Sequence, residues 1–107
     1  MSQQAGFYHT VFFWLRDGGG PNAAQQLAQG CRRHLTGIPG ILHLSVGVPA
    51  GTERAVVDNS YGVALLVEFA DRAAHDIYQE HPDHQRFIQE CSPLWERVQI
   101  YDAVPAV

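Results

Sequence analysis

The sequence has few basic residues and no basic cluster. Lysine and arginine together number 7 in 107 residues, against 11 acidic residues, which gives a formal net charge of −4. The longest basic run is the pair Arg32–Arg33. Proteins that bind the phosphate backbone of nucleic acid carry a basic stripe or patch. We therefore expect no nucleic-acid partner.

Cysteine is equally scarce, because the chain has only Cys31 and Cys91. A disulfide scaffold in a chain this short needs more cysteines than that. Each of the two falls on the apolar stripe of a predicted helix, and unpaired cysteine is among the most frequently buried residue types. The sequence thus predicts two buried, reduced thiols.

The chain also lacks a long apolar run. No stretch approaches the length of a membrane span, and Met1–Gly6 has no basic segment leading into an apolar one, as a signal peptide would. The hydrophobic fraction of 46% is nevertheless that of a globular protein. We predict one domain over residues 1–107 with its core at about 8–103, a cytoplasmic location and no membrane partner.

The spacing of apolar residues predicts a βαββαβ order. Strand-like runs rich in β-branched and aromatic residues cover 8–15, 41–48, 61–69 and 97–103. Helical spacing covers 23–35 and 71–80, and a second helical piece follows the break at His81-Pro82. Right-handed crossovers then give a ferredoxin-like α+β fold, with a four-stranded antiparallel sheet and the helices on one face. The first strand is expected between the third and the fourth.

Both faces of the predicted sheet are largely apolar. In the first strand, Val11 and Phe13 point one way while Phe12 and Trp14 point the other. A sheet with one face in water would carry polar residues there, and a soluble monomer does not leave a large apolar face exposed. The sequence therefore predicts a homodimer in which two copies pack sheet to sheet, as a dimeric α/β barrel.

Six histidines raise the question of a metal site. His81 and His84 stand three residues apart, but Pro82 lies between them and no ligand pattern of cysteines or carboxylates accompanies them. No dinucleotide fingerprint is present either. We predict no metal and no cofactor, and we expect His34 and His75 to face solvent.

Four residues can carry proton chemistry. His84 precedes Phe87 by three residues and so lies on the apolar stripe of its helix. Strand alternation predicts that His9 and Asp102 point into the same interior, between the sheet and the helices. Tyr78, six residues before His84, is expected to lie above that space. Such a set can transfer protons, because histidine titrates near neutral pH. The alternative is a buried hydrogen-bonded network with no catalytic role.

The string Tyr78-Gln-Glu-His-Pro-Asp-His84 resembles the stress-responsive A/B barrel domain (Dabb) proteins. Weaker support comes from His9 on the first strand, the Ile38–Ile41 turn and the Ile100-Tyr101-Asp102 ending. The resemblance spans about Tyr8 to Asp102. It implies a ferredoxin-like protomer that forms a dimeric barrel, in agreement with the pattern of the sheet.

The resemblance extends to olivetolic acid cyclase-like members, which close a linear polyketide by aldol condensation without a cofactor. Their catalytic set matches His9, Tyr78, His84 and Asp102 here, with His84 as the base. Most members of the family have no assigned reaction, so three functions stay open. They are a cofactor-free enzyme acting on a small carbonyl or polyketide-like compound, a non-catalytic binder of a small apolar ligand, and a haem or metal handler.

Overall fold

A computed structural model describes residues 4–18 and 21–107 of the chain. Its strands are β1 (Phe7–Leu15), β2 (Ile41–Gly47), β3 (Val63–Phe69) and β4 (Trp95–Ala103), and its helices are α1 (Pro21–Leu35), α2 (Arg72–Glu80) and α3 (Pro82–Cys91). Short 3₁₀ turns follow β1 and α3. The predicted element order is confirmed. Across the described ranges, no helix combines the length and the apolar character needed to cross a membrane.

The four strands form one antiparallel sheet in the order β2-β3-β1-β4. The first strand therefore lies between the third and the fourth, as predicted. In this register His9 of β1 stands directly opposite Asp102 of β4. The ferredoxin-like topology thus brings the two ends of the chain side by side.

The break between α2 and α3 is fixed by local hydrogen bonds. Asp71 caps α2, since its carboxylate accepts from the backbone N–H of Ala74 at 2.9 Å. His81 ends α2 and begins α3, because its Nδ1 accepts from the backbone N–H of Asp83 at 3.0 Å. Pro82 occupies the first turn of α3, where the missing N–H has no cost. His81 is therefore a capping residue.

The core lies between the sheet and the helices. Alternate residues of β1, beginning at Phe7, are buried there, and their partners on β3 are buried with them. From the helices the core receives the following buried side chains: Leu27, Cys31, Leu35, Tyr78, Phe87 and Cys91. Both cysteines are free and buried, as the sequence predicts.

Strand β2 departs from the predicted alternation. The register between β2 and β3 shifts between Ile41 and His43, so both Ile41 and Leu44 pack against the core. Strict alternation over the predicted strand 41–48 would place Leu42 on the face of Leu44, but this is wrong, and Leu42 is 38% exposed. A bulge adds one residue to a strand, and a simple alternation pattern cannot show it.

The face of the sheet away from the helices is aromatic near its centre. On β1 it carries Phe12 and Trp14, and on β4 it carries Tyr101, which is 62% exposed. Leu66 of β3, opposite Thr10, is 45% exposed. We call this surface the outer face. Polar residues lie on both sides of this centre, with His43 and Ser45 on β2 and Arg97 and Gln99 on β4. The predicted apolar character of this face therefore holds near its centre and not at its two edges.

Candidate functional site

A cavity of about 200 Å³ lies between the sheet and the α2–α3 pair. Three of the four residues predicted to carry chemistry line it: His9 from β1, Tyr78 from α2 and His84 from α3. The rest of the wall is almost entirely apolar and consists of Val11, Phe13, Leu65, Gln79, Phe87, Ile88, Trp95, Val98 and Ile100. The fold therefore brings two imidazoles and a phenol to one apolar cavity.

The fourth residue, Asp102, reaches this site through His9. The Nδ1 atom of His9 lies 2.6 Å from Oδ1 of Asp102, a direct consequence of their cross-strand pairing. The His9 side chain is buried, whereas Asp102 is partly exposed. Burial lowers the pKa of His9, although the hydrogen bond and the charge of Asp102 act in the opposite direction.

The hydrogen bond to Asp102 also sets the tautomer of His9. A carboxylate only accepts, so Nδ1 of His9 donates to it. The neutral ring then carries its lone pair on Nε2, and Asp102 holds the imidazole in one orientation. The pair is thus an oriented imidazole next to a carboxylate.

Tyr78 and His84 form the helical wall of the cavity. Their rings meet edge to face with centroids 4.8 Å apart, and the Tyr78 ring also packs against His9 at 5.7 Å. Burial raises the pKa of Tyr78, so its hydroxyl stays protonated and can donate a hydrogen bond. Burial lowers the pKa of His84, and the nearby imidazoles of His9 and His75 lower it further. The His84 imidazole is therefore neutral near pH 7.

His75 is the residue that sequence reasoning missed. It was expected to face solvent, but its side chain is only 12% exposed. The ring stacks on Phe7 at 4.3 Å and lies 5.0 Å from the ring of His9. The signal was available in the spacing, because His75 precedes Tyr78 by three residues and so shares its helical face.

Two other histidines, His34 and His81, make contacts outside the cavity. The expectation that His34 faces solvent is wrong, because its side chain is only 18% exposed. His81 and His84 do not form a pair, since His81 caps α3 while His84 lines the cavity. His34 bonds to the carboxylate of Glu90, and that carboxylate also contacts Arg33. In the described part of the chain, three residues could jointly hold a metal ion: His9, His75 and Asp102.

A comparison with family models gives one match that covers most of the chain. The model of the stress responsive A/B barrel domain matches residues 7–105. Among curated proteins, none matches the chain.

Several solved structures have the same fold as this chain. A Dabb family protein with a ferredoxin-like fold from Mesorhizobium loti is 28% identical, with a TM-score of 0.77, and the match covers 97% of this chain and 100% of that one. A dimeric ferredoxin-like protein of unknown function from Thermobifida fusca is 19% identical, with a TM-score of 0.78 and 98% and 95% coverage. A hydroxynitrile lyase from Passiflora edulis is 16% identical, with a TM-score of 0.75 and 94% and 93% coverage.

Proposed function

The chain belongs to the stress responsive A/B barrel domain family, and we propose that it is a homodimer whose protomers each transfer protons on a small carbonyl compound without a cofactor. One observation carries the catalytic part of this proposal. A single apolar cavity is lined by His9, Tyr78 and His84, and Asp102 orients the first of these. A convergent group of polar side chains in an apolar pocket is the usual form of a small-molecule site.

The size and the wall of the cavity indicate the substrate class. Its volume of about 200 Å³ lies below the roughly 300–1,000 Å³ of pockets for drug-sized ligands. Apolar residues from three strands and from α3 cover most of its surface. A small, mostly apolar molecule with one or two carbonyl groups fits both properties, as a short polyketide-like chain would.

His84, Tyr78 and His9 have different roles in the proposed step, which forms a carbon–carbon bond. His84, neutral near pH 7, takes a proton from the carbon next to a carbonyl, and the resulting enolate is stabilised by a hydrogen bond from the Tyr78 hydroxyl. The enolate carbon attacks a second carbonyl, and the proton on His84 returns to the new alkoxide. His9, oriented by Asp102, completes the polar wall of the cavity.

The structural neighbours bear on the catalytic proposal through their fold alone. One of them, similar in fold, is a hydroxynitrile lyase. This neighbour establishes that the fold accommodates catalysis in at least one protein. A fold hosts many functions, so the proposal depends on the cavity of this chain rather than on the neighbour's reaction.

The catalytic proposal is tested by His84→Ala. After a panel of small β-dicarbonyl and polyketide-like compounds identifies a substrate, we expect the variant to lose about 10²- to 10⁴-fold in turnover, the usual contribution of a general base. His34→Ala, which changes a histidine outside the cavity, should retain the wild-type rate. Melting temperatures measured on the same samples separate loss of chemistry from loss of folding.

Two results would contradict catalysis. One is a His84→Ala variant that turns over the substrate at the wild-type rate per folded molecule. The other is a wild-type protein that binds small apolar compounds in the cavity but converts no carbonyl compound. The second result would assign the chain to the class of non-catalytic binding proteins.

The homodimer is supported by the outer face. Its exposed aromatic and aliphatic residues, among them Tyr101 and Leu66, form the kind of apolar surface that a second copy covers. The relative from Thermobifida fusca is described as dimeric. Light scattering at micromolar concentration should give twice the 11.9 kDa mass of one chain.

Two variants that each introduce a charge test whether the outer face forms the dimer interface. Leu66→Glu places a carboxylate on the outer face and should give a folded monomer. Val56→Glu makes the same change in the connection between β2 and β3, where Val56 is 80% exposed, and should leave the dimer intact. A wild-type protein that is a stable monomer at micromolar concentration would contradict the proposal.

A further inference from the structure

Three metal-ligating side chains from three different elements meet at one end of the sheet. His9 comes from β1, His75 from α2 and Asp102 from β4, and one ligand atom of each lies within 4.8 Å of the other two. The proposed reaction uses His9 and Asp102 but leaves His75 without a task. His75 is nevertheless largely buried, and its ring is held by stacking on Phe7.

The hydrogen bonds of His75 determine which ring nitrogen carries the proton. Its Nδ1 lies 3.1 Å from Oδ1 of Asp76, a carboxylate that can only accept, so Nδ1 carries the proton. The lone pair of the neutral ring is then on Nε2. A histidine that binds a metal typically donates its other N–H to a carboxylate in this way, which fixes the tautomer.

This lone pair accepts a hydrogen bond from the side-chain amide of Gln79, whose Nε2 lies 3.1 Å from Nε2 of His75. Nε2 of His75 lies 4.0 Å from Oδ2 of Asp102. A cation bound between the two atoms would replace the Gln79 amide as the partner of Nε2 and would be attracted to the Asp102 carboxylate. The arrangement has the form of a cation site.

We propose that His9, His75 and Asp102 bind a borderline divalent cation of the Zn²⁺ class. Two imidazole nitrogens and one carboxylate oxygen are the donor types that Zn²⁺ takes in open sites, where a fourth position is left for water or a ligand. In a tetrahedral site, ligand bonds of about 2.0–2.2 Å place donor atoms about 3.3–3.6 Å apart. The widest separation, up to 4.8 Å, must therefore shrink by about 1 Å, and the His9–Asp102 atoms, now 2.6 Å apart, must separate by somewhat less. Asp102 is partly exposed and has room to do so.

Binding requires a tautomer change at His9 and no redox step. The Nδ1 proton that His9 now shares with Asp102 moves to Nε2, and Nδ1 becomes the metal ligand together with the carboxylate. The tautomer change itself releases no proton. The ion would therefore replace the His9–Asp102 hydrogen bond, and it would compete with the arrangement used by the proposed reaction.

The test is a titration of the metal-free full chain with ZnCl₂, followed by calorimetry and native mass spectrometry. We expect one Zn²⁺ per chain with a dissociation constant in the micromolar range or tighter. His75→Asn removes a ligand and should weaken Zn²⁺ binding at least tenfold. Asp76→Asn removes only the carboxylate that orients His75 and should weaken binding by about 10- to 100-fold. Circular dichroism on each variant checks that the fold is intact.

His34→Asn is the matched control. It removes a histidine that also contacts a carboxylate, Glu90, but lies outside the cluster, so Zn²⁺ affinity should not change. Co²⁺ in place of Zn²⁺ should give visible d–d absorption that disappears in His75→Asn. The proposal is overturned if binding is no tighter than millimolar, if His75→Asn binds as well as the wild type, or if His34→Asn loses as much affinity. None of these readouts depends on turnover, so they leave the catalytic proposal to its own test.

Discussion

The space between the sheet and the helices is packed differently beneath α1 and beneath α2 and α3. Beneath α1, Leu27, Cys31 and Leu35 are completely buried against apolar strand residues. Beneath α2 and α3 the same face of the sheet meets His84 and Tyr78, and a cavity of about 200 Å³ remains. Both regions lie against the same face of one sheet. The region beneath α1 is filled by side chains, whereas the region beneath α2 and α3 contains a cavity; we call them the filled region and the open region.

The difference follows from the shape and polarity of the side chains. Leucine and cysteine on α1 interdigitate without polar atoms, so close packing is their lowest-energy arrangement. Imidazoles and a phenol need partners for their ring nitrogens and hydroxyl, and tight apolar packing around them would leave those groups unsatisfied. We infer that the α1 region provides most of the stability of the fold and that the α2–α3 region provides the site.

The largest effect should come from truncation in the filled region. Leu27→Ala removes a side chain that is 0% exposed and should cost about 2–5 kcal/mol in free energy of unfolding. Ile88→Ala, on the wall of the cavity, removes a side chain that is 39% exposed and should cost about 1 kcal/mol. Urea unfolding of both variants measures the contrast. Equal costs would show that the two regions are packed alike.

The second effect concerns the thiols, and it sharpens the same contrast. Burial raises the pKa of Cys31 to about 12 and also raises that of Cys91. The thiolate is the reactive form, so both residues should react with a thiol reagent at least about tenfold more slowly in the native state than in urea. Rapid labelling of Cys31 in native buffer would contradict a closed region beneath α1.

The fold was predictable because its signals are local and repeated. Apolar spacing located every helix and strand, and chain order with crossover handedness fixed the position of β1 in the sheet. The bulge near Leu42 was not predictable, since one inserted residue leaves the composition of a strand unchanged. The polar β2 edge of the outer face was predictable, because His43 and Ser45 alternate with Leu44 and Val46 in the sequence.

The candidate site was predictable only in part. Strand alternation and helical spacing were enough to aim His9, His84 and Asp102 at one interior. The burial of His75 could have been predicted from helical spacing, because this residue shares a face of α2 with Tyr78. Its position is decided by Phe7 and His9, which lie far away in the sequence. The helical face of His75 follows from spacing, whereas its contact partners depend on tertiary packing and leave no pattern in a single sequence.

The smallest effect is a pH dependence that arises in the open region. Burial, together with the nearby His9 and His75, lowers the pKa of His84 below its ordinary value of 6.5. The unfolded chain takes up a proton at this residue near pH 6.5, whereas the folded chain does so only at lower pH. Between these two pKa values the unfolded state binds more protons, so stability falls as the pH is lowered through that window and is fully present above it.

His84→Asn removes this titration while keeping a polar side chain on the cavity wall. The free energy of unfolding, measured by urea at several pH values between about 7 and 5, should fall less steeply in the variant than in the wild type. Part of the slope should persist, because His9 also has a lowered pKa and still faces the cavity. Tyr78 does not contribute in this range, since its pKa is raised. Identical slopes in the two proteins would mean that His84 is as well solvated in the folded state as in the unfolded one, and the open region would then have no influence on its protonation.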